Sequence, residues 1–155
     1  MRCTVERQLR KTRILRELFR QRGAVVEAAL IDLERASVQR QQNQIVQAAR
    51  LARRVEAICA ERGLTAHVVE AWLIQAACAA DQQHWLEAEQ LARQVVAASE
   101  PLHSAVLLYR AHHLIGLAAE AQGDLNAAYD ALRAAREALE SAQIELGSDE
   151  LHLAY

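Results

Sequence analysis

The chain has 155 residues, enough for one domain with a real core, and a formal net charge of −2. Hydrophobic residues make up 52% of it and aromatics only 4%, with one Pro and five Gly. Turn chemistry for a β-protein is scarce and alternating strand patterns are absent, so an all-α chain is expected.

Reading from the N-terminus, a charged leading helix is expected over about 3–22, closing at Arg22-Gly23. Helices over 24–41 and 44–62 follow, then 65–81 and 85–99, then 104–122 and 125–146, with 147–155 starting a capping or following helix. Pro101 suits a helix start, where its missing N–H costs nothing. Gly63 and Gly123 suit helix ends, where a left-handed residue closes the last turn, and Asp124 suits the N-cap of the next helix.

These elements repeat at a step of forty. Gly116, Gly123-Asp124, Ala128, Leu132 and Ala135 align with Ala76, Gln83-His84, Ala88, Ala92 and Val95. Forty residues earlier stand Ala36, Asn43-Gln44, Ala48, Ala52 and Val55. The phrases IVQAARLARRV, WLEAEQLARQV and LNAAYDALRAA superpose without a gap. Each unit is a helix hairpin, and Ala48, Ala88 and Ala128 mark where its second helix must approach the first closely. The fold expected is an α-solenoid of about seven helices in a single domain. It comprises a half repeat at 1–23, repeats at about 24–63, 64–103 and 104–146, and the start at 147–155.

Charge divides unevenly along this array. Residues 1–63 hold 14 Arg or Lys against 7 Asp or Glu, and residues 64–155 hold 4 against 13. No apolar run reaches the length that spans a bilayer, and no signal-peptide apolar core follows the charged N-terminus. Cys3, Cys59 and Cys78 lack CxxC spacing and fit reduced thiols, so a cytoplasmic setting is expected; Cys59 and Cys78 read as small core residues.

The pattern resembles the tetratricopeptide repeat: a large residue, a small one four positions on, Gly-Asp-like turn residues, then Ala, a larger residue and Ala. Trp72, Ala76, Trp85, Ala88 and Val95 carry it in one unit. Gly116, Ala119, Gly123, Ala128, Leu132 and Ala135 carry it in the next. The unit at 29–62 departs from it, with Asp32 and Gln39 at apolar positions, and the step of forty exceeds the usual ~34. Ile144-Glu145-Leu146 followed by Ser148 to Tyr155 resembles the repeat region upstream of a CHAT domain, the caspase-like peptidase domain of many bacterial proteins. Ala52 to Ala80 is similar to the helical-repeat sensor arm of LuxR-type bacterial transcription regulators. Both resemblances imply a bacterial array used for interaction or sensing.

The leading helix matches a second-type helix, Leu15 aligning with Val55, Leu18 with Ile58 and Gly23 with Gly63. Its missing partner would leave Ile14, Leu15, Leu18 and Phe19 as apolar surface. A fragment is therefore expected, or an end covered by another chain, including a second copy.

Chemistry of bond making is not expected. His112 and His113 are adjacent, so on a helix they diverge by about 100° and cannot easily share an ion; no ligand-spaced cluster, activated nucleophile or Gly-rich phosphate loop occurs. No metal, cofactor or catalytic residue is assigned. The basic leading helix (Arg2, Arg7, Arg10, Lys11, Arg13, Arg16, Arg20, Arg22) could meet nucleic acid or acidic protein. A solvated face with Arg stems over apolar surface is the simpler reading, since no aromatics interleave for base stacking.

The tetratricopeptide resemblance places a partner-binding groove on the first helix of each hairpin. Its recurring exposed positions are Leu30, Leu33, Ser37 and Arg40, then Glu70, Leu73, Ala77 and Asp81, then Arg110, His113, Leu117 and Glu120. Apolar centres with charged flanks suit an extended peptide or a partner helix. The function expected is a non-catalytic protein-binding scaffold, a section of a larger protein. The alternative is a ligand-sensing arm of a transcription regulator.

Overall fold

The computed structural model describes the backbone at residues 11–17, 24–99, 102 and 104–152, and side chains as far as Ser141 in the last helix. Among the described residues seven helices follow one another: α1 (11–17), α2 (Val25–Gln41), α3 (Ile45–Ala60), α4 (Thr65–Asp81), α5 (Trp85–Ser99), α6 (Ala105–Ala121) and α7 (Leu125–His152). No strand occurs among the described residues. The protein is an all-α helical-repeat solenoid. The expected boundaries agree closely except at the end, where α7 runs unbroken through Gly147 instead of stopping at 146. The leading helix is described only in part, and Pro101, Gly23, Leu18 and Phe19 lie outside the described residues.

The turns explain the regularity. Asn43, Gln83 and Gly123 are left-handed, with φ of 62°, 62° and 83°, and so is Gly63 at 67°. Each closes its helix with a paired set of backbone bonds. At the middle hairpin the N–H of His84 donates to Ala79 O and that of Gln83 to Ala80 O, both at 2.9 Å. Asp124 and Gly123 repeat these bonds to Ala119 and Glu120, and Gln44 and Asn43 repeat them to Gln39 and Arg40. This is the Schellman closure, which consumes carbonyls that a helix end leaves open. Asp124 caps α7 as expected: the N–H of Ala127 donates to its Oδ1 at 3.0 Å. A left-handed conformation costs a side-chain-bearing residue about 1 kcal/mol. Gln83→Gly should therefore raise stability by about 0.5–1 kcal/mol, read as a higher urea midpoint at unchanged slope. Gly123→Ala should lower it by a similar amount.

Packing follows the chain. Each helix from α2 onward contacts its sequence neighbour, and α2 contacts α4 as α4 contacts α6. The described outer helices α3, α5 and α7 make no backbone-level contact with one another. α3 and α5 meet only through side chains such as the exposed Arg53–Glu87 pair at 3.4 Å. Close inner spacing with open outer spacing curves the layer, leaving α2, α4 and α6 on the concave side. Burial repeats with the sequence: residues 83–99 reproduce, position by position, the burial of 43–59. Two cores result, one among α2, α3 and α4 and one among α4, α5, α6 and Ala131. They share α4, in which every residue from Leu73 to Ala80 is buried, and Trp72 packs against both.

Small residues set the hairpin pitch. Ala48 and Ala88 are 0% exposed and Ala128 6%. The last hairpin uses a different pair of sizes at one contact. A methyl on Gly116 would lie 2.9 Å from Leu132 Cγ and Cδ2. The equivalent pairs are Ala76 with Ala92 and Ala36 with Ala52, so Gly opposite Leu replaces Ala opposite Ala. Gly116→Ala should cost about 1 kcal/mol in the native background through overpacking. In a Leu132→Ala background the same change should stabilise by ~0.5–1 kcal/mol, because Ala is the better helix former. A double-mutant cycle by denaturant unfolding with a coupling below about 0.5 kcal/mol would contradict this.

One position triad links consecutive units and changes chemistry along the array. Between α1 and α2, Arg16 Nε donates to Asp32 Oδ2 at 2.7 Å and Arg35 Nη1 to Asp32 Oδ1 at 2.8 Å. Forty residues on, Trp72 Nε1 donates to Glu56 Oε1 at 2.8 Å and Gln75 Nε2 to Glu56 Oε2 at 2.7 Å. Forty further, the places are held by Val96, His112 and Ile115. Asp32, out of place in an apolar pattern, is buried and satisfied by two guanidiniums.

Candidate functional site

The inner faces of α2, α4 and α6 enclose two adjoining depressions. The first, about 350 Å³, is lined by Leu33, Glu34 and Ser37 of α2, Glu70 and Ile74 of α4, and Val106, Leu107 and Arg110 of α6, with Ser104 at its edge. The second, about 270 Å³, lies between Arg40 of α2, Leu73 and Ala77 of α4, and Tyr109, Arg110, His113, Leu114 and Leu117 of α6. Arg110 borders both.

Of the residues expected to line a groove, Leu33, Ser37 and Glu70 meet Arg110 in the first depression. Arg40, Leu73, Ala77, His113 and Leu117 meet it in the second. Leu33 and Leu73, expected to be exposed, are 7% and 2% exposed and form the floor. Leu30 and Glu120 line neither depression. Asp81 is committed to Arg40, whose Nε and Nη2 donate to its Oδ2 and Oδ1 at 2.6 and 3.0 Å. This bidentate pair joins the C-terminal ends of α2 and α4, so it fixes their spacing as much as it offers charge to a ligand. Glu70 Oε2 lies 3.3 Å from His67 Nδ1. Arg110 is exposed and has no ion-pair partner among the described residues.

Tyr109 escaped sequence reasoning. Its equivalents Val69 and Ala29 are 0% and 1% exposed, so the forty-residue step assigns it to the core. No described inner helix lies beyond α6 to cover it, and its ring sits half-buried at the groove edge, stacked on His113 at 6.2 Å between centroids and 19° between planes. The available signal was size: a ring where the other units carry Val and Ala. His112 projects about 100° around α6 from His113 and lines the outer cleft, so the adjacent histidines serve two surfaces.

That outer cleft, about 610 Å³ between α5, α6 and α7, is lined by Arg93, Val96, His112, Ile115 and Asp130 with five alanines, Ala97, Ala119, Ala127, Ala131 and Ala134. At the preceding junction the matching positions hold Trp72, Gln75, Leu91 and Gln94 where the cleft has His112, Ile115, Ala131 and Ala134. The smaller side chains at 112, 131 and 134 open the space. A cleft of about 380 Å³ at the matching place between α2 and α3 is lined by Arg35, Gln39, Gln47, Arg50, Leu51 and Arg54.

Among the described residues no group of three His, Cys, Asp or Glu could hold a metal ion, and no helix is long and apolar enough to cross a membrane. Cys59 and Cys78 are buried free thiols. Burial pushes Cys59 up, and pushes Cys78 up to about 11, with Arg40 pulling down less strongly and Asp81 adding to the rise. Neither is a thiolate at neutral pH, which removes them as nucleophiles. Because the folded state holds the Cys78 proton more tightly, its contribution to stability is complete below the ordinary thiol pKa and fades as pH rises from about 9 through about 11. The loss amounts to roughly 2 kcal/mol across that window. Cys78→Ala should flatten the fall in urea midpoint between pH 8 and pH 10.5.

Of the basic leading helix, Lys11, Arg13 and Arg16 are described, and Arg16 is engaged with Asp32; Arg2, Arg7, Arg10, Arg20 and Arg22 lie outside the described residues. No family model, no curated protein and no solved structure matches the chain.

Proposed function

We propose that the chain is a non-catalytic interaction scaffold that holds an extended peptide or a partner helix in the concave groove of α2, α4 and α6. The observation that carries this reading is the continuity of the two depressions through Arg110: an apolar floor of Leu33, Leu73, Ile74 and Leu114 beneath a rim holding an uncommitted guanidinium and the Tyr109–His113 stack. Apolar anchors beside exposed charges recognise side chain and register together. The helices are already packed, so little ordering entropy is lost on binding. A tetratricopeptide-type array fits this role, and a position beside a peptidase-like domain of a larger bacterial protein would suit it. Displayed peptide libraries selected on the purified chain should yield binders that Arg110→Glu and Tyr109→Ala each weaken at least tenfold. Binders indifferent to both changes would overturn the reading.

The ligand-sensing reading is favoured by a different observation, the alanine-lined outer cleft of about 610 Å³. It requires a small molecule whose stabilisation of the fold is abolished by refilling the cleft with Ala131→Leu and His112→Trp.

A further inference from the structure

Three buried side-chain polar atoms lack a hydrogen-bond partner among the described residues, and two of them belong to one cleft. They are Arg35 Nε and Gln39 Oε1, on side chains that line the space of about 380 Å³ between α2 and α3. The other lining residues are Gln47, Arg50, Leu51 and Arg54. Eighty residues on, the same six places are Ile115, Ala119, Ala127, Asp130, Ala131 and Ala134, and all six line the outer cleft of the third hairpin. The hollow therefore recurs with the hairpin geometry, and its chemistry changes from unit to unit. In the second unit the places hold Gln75, Ala79, Glu87, Gln90, Leu91 and Gln94. Each later unit has one acid and no Arg or Lys there, whereas the first has three arginines and no acid.

Packing does not account for these side chains. Ala79 and Ala119, the equivalents of Gln39, are each 5% exposed, so a methyl group satisfies the fold at this place. A buried polar group without a partner is costly. The Gln39 amide makes no hydrogen bond, so a half-turn breaks none and presents its N–H groups in place of the oxygen. Arg35 spends Nη1 on Asp32, which Arg16 shares, and keeps Nε unpaired. Arg50 and Arg54 stand one turn apart on α3, where like charges repel, and both are exposed with no ion-pair partner among the described residues. Arg53 beside them is committed to Glu87. We propose that this cleft binds the phosphate group of a small phosphate monoester. Such a group carries roughly two negative charges at neutral pH, which match the two uncommitted guanidiniums. It accepts hydrogen bonds from Arg35 Nε and the Gln39 amide, and Arg50 and Arg54 fold over it with the geometry that suits phosphate. Leu51 and the arginine stems offer apolar surface to the rest of the molecule. A polyanion is disfavoured, because one lying along the outer layer would run from α3 onto Glu87 and Glu89 of α5. The cleft shares no residue with the concave groove and does not depend on how that groove is used.

Isothermal titration calorimetry of the full chain with phenyl phosphate, at pH 7.5 in 50 mM NaCl, tests this. Phenyl phosphate should bind and inorganic phosphate should compete with it. Benzoate, with one charge, should bind at least tenfold more weakly, and phenol should not bind. Arg50→Gln and Arg54→Gln, both at exposed positions, should each weaken phenyl phosphate at least tenfold. Arg53→Gln makes the same change in charge outside the cleft and should leave affinity within twofold. Gln39→Ala copies both later units, so it should keep the urea midpoint or raise it while weakening phenyl phosphate at least fivefold. Absence of both heat and a rise in Tm at 10 mM phenyl phosphate overturns the inference, and so does benzoate binding as tightly. Equal losses from Arg53→Gln and Arg50→Gln would overturn it too, by revealing a diffuse basic surface. Single-stranded DNA that displaces phenyl phosphate and binds more tightly as it lengthens from 4 to 20 nucleotides would replace it with a nucleic-acid face.

Discussion

Asp32→Ala should destabilise the N-terminal end of the array by about 3 kcal/mol. The carboxylate is 3% exposed and neutralises Arg16 and Arg35, whose side chains are only 22% and 17% exposed. Removing it leaves two largely buried guanidiniums facing each other without a counter-charge, the costly way to break such a group. Replacing the whole triad by apolar residues (Arg16→Met, Asp32→Leu, Arg35→Met) should recover most of the loss, because a desolvated ion group adds little net stability over good packing. The neighbouring units supply the precedent: the same three places hold Glu56, Trp72 and Gln75, then Val96, His112 and Ile115. Both tryptophans of the chain, Trp72 and Trp85, lie in the second unit. Stacked units melt partly independently. In Asp32→Ala, helix loss followed by circular dichroism should therefore precede the change in tryptophan fluorescence. A single transition with a loss under about 1 kcal/mol would contradict the role given to Asp32.

Trp72→Ala should cost more, about 3–5 kcal/mol, the range for truncating a large core aromatic. The indole touches both core clusters and donates its N–H to Glu56, so its removal empties space on either side of α4 and leaves the Glu56 carboxylate with Gln75 as its remaining partner in the triad. Because α4 belongs to both cores, the change should uncouple the first unit from the third. Unfolding should broaden, with hydrogen exchange in α2–α3 rising independently of that in α6–α7. Trp72→His, which copies the next unit, should cost less and open a cleft between α3 and α5 like the one beside His112. Cooperative unfolding at unchanged slope after Trp72→Ala would show that the units are held together elsewhere.

The groove was half legible in the sequence. The forty-residue step picked out Leu33, Glu70, Arg110 and His113 because equivalent positions on equivalent helices share a face whatever the curvature. It could not tell that Leu33 and Leu73 sink into the floor, since the depth of a side chain depends on how closely the flanking inner helices approach. It missed Tyr109 because periodicity averages over units and an end unit has different neighbours. It offered Arg40 and Asp81 as separate contacts, where the structure shows one bidentate pair spanning α2 and α4.

By itself the sequence determined the all-helical class, the hairpin unit, its period and its turns. These rest on local physics: helix propensity, small residues at Ala48, Ala88 and Ala128, and chain reversals at Asn43, Gly63, Gln83 and Gly123. Only the tertiary structure decided what each junction between units contains. Arg16 reaches Asp32, and Trp72 and Gln75 reach Glu56, across 16 to 19 residues of sequence, and they meet through the pitch of the stack. That pitch is a sum over many contacts that no single segment encodes. The same holds for the ends, where α1 and α7 carry ordinary outer-helix patterns and differ from α3 and α5 in what is absent beside them.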